Sequence, residues 1–301
     1  MAQAAPLLLR LVGSSVTAAT KAGTIIKDVM NKGDLGIRDK GNDDLQTEAD
    51  RLAQSSIIAS LSRMYQKVTI IGEEGPHELS NIREEWIANE PCESVLKQQC
   101  PEHLMNVTEE DVVIWIDPLD GTKEFTQGFL ENITVLIGIV VGNKSVAGVI
   151  HQPYYKNEDL LGRTIWGIQG LGVGGFEPLP PPDGKFTITT SKSHFNPLIE
   201  TAIELLQPDQ VKKEGGAGYK VLMLMEGKAH AYVYPVPGTK RWDICAPEAI
   251  LSAVGGKLTD MKGNSYPYDK NTNYNNTEGV VATCNDYYHK LCINRLENFK
   301  R

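Results

Sequence analysis

Asp111-Val112-Val113-Ile114-Trp115-Ile116-Asp117-Pro118-Leu119-Asp120-Gly121-Thr122 is the stretch on which the reading of this chain turns. Its first half is apolar and rich in β-branched residues, the pattern of a buried strand. Asp117 stands where that strand is expected to stop, because Pro118 has no N–H to extend a ladder and Gly121 permits a tight reversal. Two carboxylates this close at a strand end repel by about 4 kcal/mol at 4 Å in an effective dielectric of 20. A hard divalent cation such as Mg2+ removes that cost by taking oxygen ligands, and the Leu119 carbonyl offers one more. The amides of Gly121 and Thr122, with the Thr122 hydroxyl, are then placed to meet an anion beside the metal. Read in isolation, the same residues also make an ordinary surface turn.

Acids elsewhere in the chain decide between those readings. Val68-Thr69-Ile70-Ile71-Gly72 is a second short strand, and Glu73 and Glu74 follow it as Asp117 follows the first. Asp44-Leu45-Gln46-Thr47-Glu48-Ala49-Asp50 opens a helical pattern that runs to about Tyr65. Thr47 and Asp50 have near capping-box spacing, so Asp50 serves either a helix start or catalysis. Trp242-Asp243-Ile244-Cys245-Ala246-Pro247-Glu248 places Asp243 beside another helix start, where an N-cap role competes with metal ligation. Glu214-Gly215-Gly216-Ala217-Gly218-Tyr219-Lys220 is a glycine-rich loop opening a helix, able to offer N–H groups and Lys220 to an anion. It lacks the Gly-Lys-Ser/Thr of a Walker A loop.

With 301 residues the chain is long enough for two domains, and 41% hydrophobic with 23% charged residues is ordinary for a globular protein. A net charge of −8 argues against a nucleic-acid partner, and a phosphorylated substrate then needs metal ions or a few lysines and arginines. Lys192, Lys220, Lys240 and Arg241 are candidates for that task. Five cysteines without a Cys-x-x-Cys pair suit reduced thiols and a cytoplasmic location. Arg10 interrupts Leu7-Leu8-Leu9 and no basic residue precedes it, so no signal peptide is expected, and no apolar run is long enough to imply a membrane partner.

Apolar spacing predicts an amphipathic helix over residues 7–31, ended by Gly33. Residues 77–110 read as helix and loop. Strands are expected at 133–141 and 144–151, joined across Gly142-Asn143, then at 161–168 and 170–176. His151 reads as a core histidine. The Pro-rich stretch 177–184 divides a first part, 1–184, from a second, 185–301. Beyond it come a strand at 186–190, helices at 197–206 and 218–227, a strand at 231–234, a helix at 246–254, a strand at 280–284 and a last helix from Tyr287.

In chain order, Ile71-Gly72-Glu73-Glu74, then residues 115–122, then Trp242-Asp243-Ile244-Cys245-Ala246-Pro247 resemble the motifs of the inositol monophosphatase superfamily of Mg2+-dependent, lithium-sensitive phosphatases. Residues 44–50, 149–155, 161–167 and 215–220 are most similar to its nucleotide-bisphosphate branch, and the likeness runs from about Leu7 to Asp286. The resemblance implies a layered αβαβα fold with mixed sheets, α+β in the first part and α/β in the second. It implies two or three Mg2+ ions held by Glu73, Asp117, the Leu119 carbonyl, Asp120 and Asp243, with Glu74 just outside them. Asp50 and Thr122 match the pair that activates the attacking water, and Gly121 and Thr122 the phosphate contacts. Ser191, His194, Gly216 and Lys220 match nucleotide contacts. The implied reaction removes the 3′-phosphate of adenosine 3′,5′-bisphosphate, a small-molecule substrate, with inositol 1,4-bisphosphate as a second one. Other inositol phosphates, fructose 1,6-bisphosphate, and a non-catalytic nucleotide sensor stand as alternatives. Tyr219 departs from the pattern, which has a small polar residue there.

Overall fold

The computed structural model describes residues 5–41, 44–75, 82–157 and 160–300. Part of the loop expected over 77–110 lies outside them. The chain begins with helix α1 (Leu7–Lys32), a ribbon of β1 (Arg38–Asp39) and β2 (Leu45–Gln46), and helix α2 (Glu48–Met64). A six-stranded sheet follows in chain order: β3 (Thr69–Gly72), β4 (Val112–Asp120), β5 (Thr134–Val141), β6 (Lys144–Asn157), β7 (Leu160–Ile168) and β8 (Gly172–Gly174). Only β3 and β4 pair parallel, while the rest is an antiparallel meander. Short helices α3 (Glu93–Leu96) and α4 (Thr122–Thr126) lie before and after β4.

The second part brings β9 (Thr187–Ser191), α5 (Pro197–Leu206), β10 (Gln210–Glu214), α6 (Ala217–Met225) and β11 (Ala231–Tyr234). Then come β12 (Thr239–Lys240), α7 (Arg241–Ala253), β13 (Lys257–Thr259), β14 (Asn275–Asn276), β15 (Val280–Thr283) and α8 (Asp286–Arg295). Five of these strands form a mixed sheet in the order β10-β9-β11-β15-β13, and β12 pairs with β14. Among the described residues no helix is long and apolar enough to cross a membrane.

Alternation along the strands sorts the side chains into layers. Ile114, Ile116, Val135, Ile137 and Ile139 point to one face of the first sheet and pack on α1 and α2. Trp115, Leu136, Val140 and Ile150 point to the other, where Val221, Leu222, Ile244 and Ile250 of α6 and α7 meet them. The same core takes in Tyr232, Val280 and Ala282 from one face of the second sheet. Ile188, Val233 and Val281 on its opposite face pack on α5 and α8. The order is helices, sheet, helices, sheet, helices, which is the expected αβαβα arrangement.

A row of glycines decides how closely α7 lies on the first sheet. Gly138, Gly148 and Gly167 pair in register across β5, β6 and β7, beside Trp115 of β4. A Cβ on Gly138 would stand 2.8 Å from the Ala246 amide, and one on Gly148 or Gly167 would stand 2.9 Å from the Cα of Ala246 or Ile250. The helix backbone therefore rests in a trough without side chains.

Two expectations are corrected here, and one strand is added. β4 does not stop before Asp117 but runs to Asp120; Pro118 cannot donate, so the pairing with β5 slips between Asp117 and Asp120 instead of ending. Helix α7 starts at Arg241, five residues before the expected 246, because Pro247 is accommodated inside it. The polar strand β10 was not anticipated, since Gln-Val-Lys-Lys-Glu at a sheet edge carries almost no apolar signal. His151 is a buried core histidine, its Nδ1 2.8 Å from the Thr164 hydroxyl, and burial lowers its pKa to about 3.

Replacing Gly148 by valine should lift α7 from the sheet and lower the unfolding free energy by about 1–3 kcal/mol. Denaturant titration checks this, and an unchanged midpoint would mean that the trough does not set the helix position.

Candidate active site

The end of β4 opens into a cavity of about 620 Å³ between the two sheets. Its wall includes Glu73, Asp117, Leu119, Asp120, Gly121 and Thr122 from the first part. The second part adds Ser191, His194, Gly216, Lys220 and Asp243. The structure thus gathers from five separate stretches most of the residues singled out in the sequence. Glu74 and Asp50 stand behind that wall.

Asp50 fills both roles left open for it. It is the third residue of α2, and its Oδ2 accepts hydrogen bonds from the amide and hydroxyl of Thr47, a capping box. Its Oδ1 accepts from the Thr122 hydroxyl at 2.9 Å. Thr122 Oγ1 also lies 3.0 Å from the Leu119 carbonyl, but one hydroxyl proton serves one acceptor fully. Because both neighbours are acceptors, the oxygen lone pairs of Thr122 stay available to a donor in the cavity. Burial raises the Asp50 pKa to about 6, against the pull of the Thr47 hydrogen bonds.

The other carboxylates crowd one another. Asp117 and Asp120 are buried, while Glu73 and Asp243 are half-buried. Loss of water raises Glu73 to about 8 against the field of Lys40, with Asp243 and Glu74 adding to the rise. Asp117 is pushed well above the ordinary range by burial, then by Glu73, Asp120 and Asp243. Asp243 rises to about 7, from burial and then Asp120.

Glu73, Asp117 and Asp243 are each held through one oxygen, Asp120 through both. Asp117 Oδ1 accepts from the Leu119 amide at 3.0 Å, and Asp243 Oδ2 accepts from the Lys240 amide at 2.8 Å. Asp243 is thus the third residue of α7, not its N-cap. Asp120 accepts from the amides of Ala217 and Gly218, both at 2.8 Å, and from Thr134 at 2.7 Å. Lys40 reaches Glu73 at 3.3 Å, Glu74 at 3.1 Å and Asp44 at 3.2 Å, and Gln46 also donates to Glu74.

Among the described residues no three His, Cys, Asp or Glu side chains close into a metal cage. The donor set nevertheless fits a hard cation. Glu73 Oε2, Asp117 Oδ2 and Asp243 Oδ1 carry no hydrogen bond among the described residues, and all three side chains border the cavity. Oxygen donors alone are what Mg2+ coordination calls for.

The nucleotide-side candidates come from the second part, with Gly216 next to Asp120. Ser191 ends β9, and its Oγ accepts from the His194 amide at 3.2 Å. Gly216, at φ +68°, precedes α6 and packs against the Asn132 carbonyl. Lys220 is buried and donates to the Gly216 carbonyl at 2.6 Å. Lys240 also borders the cavity, whereas the Lys192 ammonium sits 4.1 Å over the Phe129 ring and the Arg241 guanidinium 4.9 Å over Tyr266. Tyr219 is half-buried in the field of Lys228, Glu214, Glu131 and Glu226, and is not part of the cavity wall among the described residues. The sequence reading missed Lys40, whose Asp-Lys-Gly setting reads as a plain turn. It also missed Glu124, which follows Thr122 by two residues and faces the same cavity.

A sequence profile of the inositol monophosphatase family matches residues 9–300. The chain belongs to that family. Among its relatives, human 3′(2′),5′-bisphosphate nucleotidase 1 is 52% identical over 293 residues, spanning 95% of this chain and 94% of the human protein. The protein of the same name from Dictyostelium discoideum is 40% identical over 311 residues, covering 97% and 98%. The solved structure of the extragenic suppressor protein suhB from Bartonella henselae superposes with a TM-score of 0.70 at 20% identity, covering 96% of this chain and 98% of that one. CysQ from Bacteroides thetaiotaomicron gives 0.67 at 25% identity, covering 92% and 98%. The inositol monophosphatase family is one of metal-dependent phosphatases.

These carboxylates give metal-free protein a definite pH dependence. Ordinary values are 4.5 for Glu73 and 3.8 for Asp243, and folding raises them to about 8 and about 7. Between about pH 4 and pH 8 these two groups therefore bind more protons in the folded chain than in the unfolded one, so their contribution to stability falls as pH rises. Thermal melts of chelator-treated protein should show the decline, and added Mg2+ should flatten it. A chelated protein equally stable across that window would show that the acids do not share one field.

Proposed function

We propose that the chain is a Mg2+-dependent phosphatase that removes the 3′-phosphate of adenosine 3′,5′-bisphosphate to give AMP and phosphate. The observation that carries this reading is the Asp50–Thr122 hydrogen bond at the rim of the carboxylate cluster. Two or three Mg2+ ions would be held by Glu73, Asp117, the Leu119 carbonyl, Asp120 and Asp243, with Glu74 holding Lys40 and Gln46 behind them. When bound, Mg2+ supplies a Lewis acid that lowers the pKa of water and offsets phosphoryl charge.

The chain's own residues do the remainder. Thr122 donates a hydrogen bond to Asp50 and so presents lone pairs that accept one from the attacking water. Asp50, ionised, keeps that orientation, and as the water gives its proton to Thr122 Oγ1 the Thr122 proton passes to Asp50, which becomes the neutral acid. Gly121 and Thr122 form the wall against which the phosphoryl group lies, and Asp120 is kept rigid by the first amides of α6. Ser191, His194, Gly216 and Lys220 meet the nucleotide. The reading draws its substrate from the relatives named 3′(2′),5′-bisphosphate nucleotidase 1. All five cysteines are free, which suits a reducing cytoplasm. Lithium inhibition is part of the same proposal.

Phosphate release is to be compared across adenosine 3′,5′-bisphosphate, inositol 1,4-bisphosphate and fructose 1,6-bisphosphate, with Mg2+ and with chelator. Fast, Mg2+-dependent release from the nucleotide is expected, with slower release from inositol 1,4-bisphosphate. A preference for a sugar or inositol phosphate would overturn the nucleotide pocket while keeping the carboxylate chemistry.

Asp50→Asn and Thr122→Ala should each lower kcat by about 10²–10⁴-fold, whereas Thr122→Ser, which retains the hydroxyl, should lose far less. Steady-state kinetics on protein of verified fold checks this. Near-native turnover in Thr122→Ala would remove the pair from the mechanism.

A further inference from the structure

Glu124 lies in the cavity wall with only 6% of its surface exposed, on α4 just after the phosphate-side residues Gly121 and Thr122. Its carboxylate accepts a hydrogen bond from the Ser193 hydroxyl. Ser193 belongs to the turn between Ser191 and His194, which the His194 amide closes on Ser191 Oγ. The same carboxyl group occupies the space that a Cβ of Gly215 would need, at the start of the loop leading to Gly216 and Lys220. It also contributes, after Asp120, to the field that favours the charge on Lys220.

Among the described residues Glu124 has no Lys, Arg or His within ion-pair distance. A buried carboxylate without such a partner costs stability, so fold maintenance gives no reason for a charge at this position. Its backbone is fixed by its own turn, where the Glu124 carbonyl accepts from Gln127 at 3.1 Å and Phe129 at 2.9 Å. One rigid side chain on the phosphate side thus touches both segments expected to meet the nucleoside.

We propose that Glu124 is a positioning residue which, through Ser193, holds Ser191 and His194 in the arrangement that accepts the nucleoside half of the substrate. Glu124 therefore sets affinity for nucleotides and leaves the chemical step alone. The inference rests on the nucleotidase reading above.

The test uses Glu124→Met, which keeps bulk but removes the acceptor, Ser193→Ala and the double variant of the full chain with saturating Mg2+. Kinetics on adenosine 3′,5′-bisphosphate are paired with calorimetric binding of AMP and of inorganic phosphate. Each single variant should raise KM and the AMP dissociation constant about tenfold. The double variant should be no worse than either, because both remove one interaction. The value of kcat should stay within about twofold, and phosphate affinity should not move. Equal weakening of AMP and phosphate, a fall in kcat at constant KM, or additive losses in the double variant would each overturn the positioning role. Wild-type protein that neither cleaves the bisphosphate nor binds AMP would instead overturn the nucleotidase reading itself, and is recognised before any variant is made.

Discussion

Four carboxylates drawn together at the end of one sheet are the constraint under which the other parts of this structure are arranged. Glu73 just after β3, Asp117 and Asp120 of β4 and Asp243 of α7 share one cavity. Without added positive charge their mutual field and loss of water push them toward the protonated form. A protein that only needed to fold would replace them with apolar side chains at lower cost. Their retention is understandable only if something cationic completes the site. Lys40 does so in part, reaching Glu73 and Glu74 from the β1–β2 ribbon.

Bringing Asp243 to that cluster is a packing problem before it is an electrostatic one. The residue belongs to a helix in the second part, and its partners sit on strands of the first. Gly138, Gly148 and Gly167 solve this by clearing a trough into which Ala246 and Ile250 settle. Cys245 and Ser145 complete the contact, the Ser145 hydroxyl donating to the Cys245 carbonyl at 2.7 Å. With larger side chains in that row, α7 would stand farther from the sheet and Asp243 would leave the cluster.

The sequence was most legible where one physical signal dominated. Periodicity located α1 and the β5–β6 hairpin, and acids following apolar runs located Glu73 and Asp117. Its silences have identifiable causes. Pro118 looked like a strand end because a missing N–H argues locally for termination, yet the ladder tolerates one slipped register. The glycine row looked like punctuation because its meaning lies in cross-strand alignment, which no single strand displays. Glu124 and Lys40 carried no pattern at all, since each works through partners far away in the chain. Asp50 and Asp243 looked ambiguous between capping and chemistry, and the ambiguity was real: in each, one oxygen serves the helix start. The other oxygen of Asp50 accepts a hydrogen bond from Thr122, and that of Asp243 carries no hydrogen bond among the described residues.

That double use explains why the acids can be rigid without being neutralised. A carboxylate has about four acceptor positions, so capping a helix consumes part of its capacity and leaves the rest for the cavity. Asp120 carries this furthest. It ends β4 in the first part and accepts the leading amides of α6 in the second, where the helix dipole favours negative charge. The same contacts partly offset the rise that burial imposes on it, together with Lys220 and Thr134. The start of α6 is thereby referenced to a side chain of the carboxylate cluster itself. The distance between the carboxylate cluster and the Gly216–Lys220 segment is set through hydrogen bonds to this one side chain.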